Sequence, residues 1–238
     1  MMTSKRFVVL LIVALYAVSA VMGQSGGSRQ EMSIEESYLQ EAIELMIIRE
    51  TARSDSREQK LIALESIESA IERGSTNDEL RVTLEYLSLE GTQNRTRQSG
   101  RLVNNFPDIR RQAAKHLGSV KTEEAKNSLL KICNWDNEPM VLQEAVKSLG
   151  LIGLNDNGDV VNTIVWITTK FHNSDTPDNL LALAAIETLE KIVENEKKVD
   201  PSSIQLIGRI LESSAYARPV RERARQALVN MRKHAAGG

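Results

Sequence analysis

The chain has 238 residues, and its 41% hydrophobic content is enough for a sizeable core, which excludes disorder as its main state. Lys and Arg number 30 against 32 Asp and Glu, a net charge of −2 that gives nucleic-acid binding no bulk electrostatic support. Aromatics are scarce (2 Trp, 4 Tyr, 3 Phe), which argues against an all-β sandwich, and the single cysteine, Cys133, excludes an internal disulfide and a Cys-rich metal cluster.

Residues 1–23 have the layout of an export signal: Lys5 and Arg6, an uncharged stretch from Phe7 to Met22, then small residues, with cleavage after Gly23 favoured over cleavage after Ala20. At 1.5 Å per residue that stretch spans about 24 Å, short of a hydrocarbon core of about 30 Å, so no stable membrane insertion is expected after cleavage. An exported chain without a disulfide fits a bacterial periplasm, with secretion as the alternative. Residues 24–33 form a flexible leader.

From Ser33 onward apolar residues recur at helical spacing. Ser33 and Glu36 make a capping box for a first helix, 34–53, with Leu39, Ile43, Met46 and Ile47 as its buried stripe. A second helix, 57–73, turns Leu61, Leu64, Ile67 and Ile71 inward and ends at Gly74. Thr76 and Glu79 open a third, which carries Leu80, Leu84 and Leu87 and ends near Gly91. Residues 91–106 read as a long basic loop. Helices resume over 108–117, 123–133, 139–149, 160–171, 178–193, 201–211 and 219–233, with no period-two stretch that requires a sheet.

The segment Pro107 to Gly118 lines up with Pro139 to Gly150: Ala follows Pro by six residues and Leu by ten. Asn179 to Leu189 and Arg218 to Leu228 repeat the frame, so Leu117, Leu149, Leu189 and Leu228 stand 32, 40 and 39 residues apart. A helix pair recurring at that period is a solenoid signature, because each pair buries its apolar face only against its neighbours.

At Pro107-Asp108-Ile109-Arg110, Ala113-Ala114 and Leu117-Gly118, and again at Val220-Arg221, Ala224 and Leu228, the chain resembles the HEAT repeat family, in particular the short HEAT-like repeats of phycobilisome lyases. Leu142 and Ala182 stand where that family usually has Arg. The resemblance implies an all-α, right-handed α-α superhelix of about ten helices: residues 34–90 supply a capping helix and a degenerate repeat, 91–106 the basic loop, and 107–238 the repeats with a C-terminal cap. It also implies a binding scaffold without naming a ligand.

Catalytic chemistry finds little purchase. His116, on a repeat helix, reads as partly exposed, His172 follows a helix end, and His234 lies in the tail; none has a neighbour at metal-ligand spacing. Some HEAT-like proteins are iron hydroxylases with paired His-Glu dipeptides, and this sequence has no His-Glu dipeptide. A Cys133–His116 nucleophile is conceivable, but Cys133 follows Leu129, Leu130 and Ile132 and reads as core. No catalytic residue, cofactor or metal is therefore expected.

Charge is polarised along the sequence, with a net −9 over 31–90, +6 over 92–121 and +5 over 217–238. The candidate partner-binding residues are Arg95, Arg97, Arg101, Phe106, Arg111 and Lys115, facing a protein with an acidic surface, and like molecules are able to stack head to tail. Arg110 and Arg221 read instead as repeat-to-repeat ties. The expected function is a non-enzymatic periplasmic scaffold or adaptor in an envelope or flagellar assembly. The alternative is a lyase-like or ligand-handling enzyme that uses the solenoid groove.

Overall fold

A computed structural model describes residues 33–236 except 76, 175 and 176, with side chains as far as Lys233. The export signal, all of the leader but Ser33, Thr76 and the His234 side chain lie outside the described residues. Ten α-helices follow in order: α1 Ile34–Ala52, α2 Arg57–Glu72, α3 Asp78–Ser88, α4 Pro107–Val120, α5 Glu123–Trp135, α6 Pro139–Ile152, α7 Asp159–His172, α8 Asn179–Glu196, α9 Pro201–Glu212 and α10 Arg218–Ala236. A short antiparallel hairpin, β1 Arg97–Gln98 and β2 Arg101–Leu102, lies between α3 and α4.

The chain divides into two compact units, Met1–Ala42 and Ile43–Gly238. In the described part of the first, Ser33 Oγ accepts from the Glu36 amide at 3.2 Å, and Glu36 accepts from the Ser33 amide at 3.0 Å. Those two bonds are the expected capping box.

In the second unit the helices form two layers of an α-solenoid. The inner-sequence helices α2, α4, α6, α8 and α10 make one layer, packed most extensively at α4–α6 and α6–α8, whereas α3, α5, α7 and α9 touch one another more sparsely. The repeat frame explains the close layer. Ala113, Ala145, Ala185 and Ala224 are fully buried and let neighbouring helices approach, while Leu117, Leu149 and Leu189 fill the spaces between them. Pro107, Pro139 and Pro201 each open a helix where a missing N–H leaves no bond unmade. Ser56, Asn77, Thr122, Asp178 and Asp200 cap with their side chains.

Three expectations need correction. The stripe assigned to α1 is exposed: Leu39, Ile43, Met46 and Ile47 are 40% to 64% accessible, and the core takes Leu45, Ile48 and Ala52 instead. Helix α1 carries apolar residues on more than one face, and periodicity alone cannot say which face is covered. Helix α3 is capped by Asn77, whose side chain accepts from the Glu79 amide. The segment 91–106 is an ordered loop with a hairpin. Gly91 has φ +73°, and a β-carbon there would stand 2.5 Å from the Asn104 carbonyl oxygen, so the chain crosses itself at a point only glycine allows. Asn104 is buried, accepts from the Thr96 amide at 2.8 Å and donates to the Asn94 carbonyl at 2.7 Å. Ser99 and Gly100, both at positive φ, make the two-residue turn.

Candidate binding surface on the close-packed helix layer

Helix α4 turns Ile109, Ala113, Ala114 and Leu117 into the core, so helical geometry sends Arg111, Gln112 and Lys115 outward. Helix α6 buries Val141, Leu142, Ala145 and Leu149 and leaves Met140 and Glu144 beside them. Asp108, Arg111, Gln112, Lys115, Met140 and Glu144 line a groove of about 270 Å³ between the two helices. Arg111 Nε lies 3.4 Å from Glu144 across it, Lys115 Nζ is 3.2 Å from Glu68 of α2, and Asp108 pairs with Arg57 of α2 at 2.6 Å. The groove thus presents both signs of charge on rigid helices, with one thioether among them.

Of the residues singled out from the sequence, Arg111 and Lys115 share this groove. The other four sit on the 91–106 segment. Arg95 Nε donates to the Thr92 carbonyl at 2.6 Å, Arg97 donates to the Gly100 carbonyl at 2.9 Å, and Arg101 is exposed. Phe106 is half-buried and packs against the core, so it is committed to the fold and is not a free apolar anchor.

Away from the groove, buried polar ties link the helices. Arg110, 1% exposed, donates to both carboxylate oxygens of Asp136 at 2.6 and 3.3 Å, to Asn105 at 2.8 Å and to the Glu90 carbonyl at 3.2 Å. It is the tie expected of it. Arg221 differs, because its buried Nε has no partner. Lys60 and Glu90, 1% and 4% exposed, pair at 2.9 Å, and Lys60 also donates to the Ala52 carbonyl at 3.0 Å. Burial pushes the Glu90 carboxyl above its ordinary value despite Lys60 and Asn104. Lys126 Nζ is held by Glu123, Asp156 and Asp159 at 2.8, 2.9 and 2.7 Å; burial opposes its charge, but these carboxylates hold its pKa above the ordinary lysine value.

The nucleophile and base considered from sequence are both core groups. Cys133 is 1% exposed and burial drives its thiol up to about 12, so no thiolate forms near neutral pH. His116 is buried, against the expectation of partial exposure, and its burial pushes the imidazole pKa down. His172 Nδ1 meets the Tyr216 hydroxyl at 3.2 Å in a stacked pair. Among the described residues no group of three or more His, Cys, Asp or Glu is placed to hold a metal ion.

Sequence reasoning missed Lys60–Glu90, Lys126–Asp156 and Arg49–Glu79. Each pairs opposite charges 30 residues apart, close to one repeat, and that spacing is a signal the sequence carries.

Residues 101–166 match the HEAT repeats family. No curated protein matches the sequence. Among solved structures, the chain is similar to the complex of CpcE and CpcF of phycocyanin lyase from Nostoc sp. PCC7120, with a TM-score of 0.54, 14% identity, and coverage of 90% of this chain and 70% of that one. At this identity the likeness speaks for the fold. The expectation of a non-enzymatic scaffold in an envelope or flagellar assembly is corrected on this point: it rested on the solenoid as a passive binding frame, and the solved solenoid that shares the frame belongs to a lyase, which favours the lyase-like alternative over it. Residues 101–166 are HEAT repeats, set within a predominantly helical, HEAT-like solenoid of the kind seen in that lyase complex.

Proposed function

We propose that the chain is a ligand-handling subunit of a lyase-like activity, with the groove between α4 and α6 receiving the client and a second protein completing the active unit. The observation that carries this is the fold shared over 90% of the chain with a two-protein lyase complex. The groove supports it: Arg111, Lys115, Asp108 and Glu144 offer donors and acceptors of both signs from helices whose cores are closely packed, so the contacts are pre-positioned. The client is a protein with acidic patches, steered by Arg95, Arg97 and Arg101, and the acidic 31–90 segment and basic 217–238 tail favour head-to-tail association of like molecules. Lys5, Arg6 and the apolar run Phe7–Met22 direct the chain out of the cytoplasm.

Intact-mass measurement of proteins in an envelope extract, before and after adding the purified chain, tests the activity. A defined mass gain or loss on one protein is expected, slowed at least about tenfold when Arg111→Ala and Lys115→Ala remove two charge-assisted contacts. Unchanged masses, or equal rates with the variant, overturn the assignment. For export, an amino terminus at Gln24 in the periplasmic fraction is expected, and a cytoplasmic chain beginning at Met1 overturns it.

A further inference from the structure

A second concavity lies where the α6–α7 turn, the end of α8 and the start of α9 meet. It encloses about 460 Å³ and is lined by Asn155, Asn157, Glu196, Lys198, Asp200 and Ser203, with Gly158, Val161 and Val193 behind them. The repeat explains why space is left there. One junction earlier Lys126, the fourth residue of α5, reaches forward to Asp159, the first residue of α7, and to Asp156 three residues before it. In the next repeat the buried positions Lys126, Leu129 and Ile132 of α5 match Val161, Ile164 and Ile167 of α7, and the two acceptor positions match Pro201 and Lys198. Lysine has become valine, one acceptor has become proline and the other has become a cation. The tie that fills the earlier junction cannot form at this one.

What remains has walls of both signs. Glu196 and Asp200 bring carboxylates, Lys198 an ammonium, and Asn155 and Asn157 amides. Part of this wall is already ordered: Asn155 donates to Glu196 Oε1 at 3.1 Å and accepts from the Val160 and Val161 amides at 3.1 Å, and Asp200 caps α9 through the Ser202 amide at 2.8 Å. Ser203 supplies an independent indication. It is 1% exposed, lines the cleft, and its hydroxyl has no hydrogen-bond partner. A buried hydroxyl without a partner costs free energy, and a polar ligand in the cleft would supply the missing bond.

We propose that this cleft binds a small zwitterion of the α-amino-acid type, its ammonium at Glu196 and Asp200 and its carboxylate at Lys198, with the Ser203 hydroxyl completing the polar contacts. Opposite charges on one small ligand match opposite charges on one wall, whereas a simple amine meets Lys198 and a simple carboxylate meets Glu196 and Asp200 as like charges. The site is separate from the α4–α6 groove and stands independently of the lyase-like assignment.

Thermal-shift screening of the full chain with the twenty common L-amino acids, followed by calorimetric titration of the best one, tests the proposal, with butylamine and butyrate as controls of single charge. Saturable binding is expected, with both controls at least about tenfold weaker. Glu196→Gln and Lys198→Ala should each weaken binding by a similar factor. Ser203→Ala should weaken it too, while the free protein melts at the same or a higher temperature because an unpaired hydroxyl is gone. No binding by any amino acid overturns the proposal. So does tighter amine binding in Lys198→Ala with no response to amino acids, which would make the ligand a plain cation.

Discussion

Gly118 of α4 and Ser148 of α6 are in such close contact that a β-carbon on Gly118 would stand 2.7 Å from the Ser148 β-carbon and 3.0 Å from its α-carbon. One repeat on, Gly150 of α6 meets Thr188 of α8 in the same way, at 2.8 Å from its hydroxyl, which donates to the Val146 carbonyl at 2.9 Å. In α8 the glycine position is Glu190, and the junction to α10 is made by ion pairing with Arg223 and a 2.7 Å bond from Asn230. Glycine against a small hydroxyl residue therefore sets the helix spacing in the middle of the solenoid.

Replacing Gly118 with Ala forces α6 to shift, and the expected loss is about 1–3 kcal/mol, more than the roughly 1 kcal/mol that alanine gains in helix propensity. Gly208 of α9 has nothing within 4 Å of its missing β-carbon, so Gly208→Ala is expected to stabilise by up to about 1 kcal/mol. Urea titration reads both signs. A gain for both variants would mean that α4 and α6 are not held this close.

Two neighbouring arginines should behave oppositely. Arg110→Ala strands the buried Asp136 carboxylate, an expected cost of about 3–5 kcal/mol. Arg111, half-exposed and 3.4 Å from Glu144, should cost at most about 1 kcal/mol. Equal losses in chemical denaturation would contradict the assignment of one to the fold and the other to the groove.

Glu85 gives a pH dependence of defined sign. Burial raises its carboxyl pKa, but hydrogen bonds from Lys131 at 2.5 Å and Ser128 at 2.6 Å, with the charges of Lys131 and Arg81, outweigh burial and hold it below the ordinary value. Its contribution is present above the unfolded pKa and is lost as pH falls through the lower folded pKa. Glu85→Gln should destabilise the protein near neutrality, and the gap from wild type should close on acidification. A gap that widens in acid would reverse the sign.

Cys133 should resist alkylation in the folded protein at pH 8, since both burial and a pKa of about 12 suppress the thiolate. Labelling should follow unfolding as urea is raised. Rapid labelling of the native chain would place the thiol at an opening of the fold.

Much of the fold was legible because its causes are local. Capping residues, first-turn prolines and the Ala–Leu frame each act within one helix, and the anchors Leu117, Leu149 and Leu189 are fully buried as that frame requires. The face of α1 was illegible, since burial of Leu45 and Ile48 in place of Met46 and Ile47 depends on what packs above them. The hairpin at 97–102 is too short for period-two alternation, and only the Ser99-Gly100 turn announced it. The groove was half legible: Arg111 and Lys115 stood out as charges, but Asp108, Met140 and Glu144 join them only when α4 and α6 come together.

The most direct measurement of the lyase-like assignment is turnover. The purified chain, with the protein that completes it, is added at one part in a hundred to the client identified by its mass change, and the client's intact mass is followed in time. Conversion of many client molecules per chain, slowed by Arg111→Ala with Lys115→Ala, is the result expected. Stoichiometric association with the client mass unchanged would contradict it.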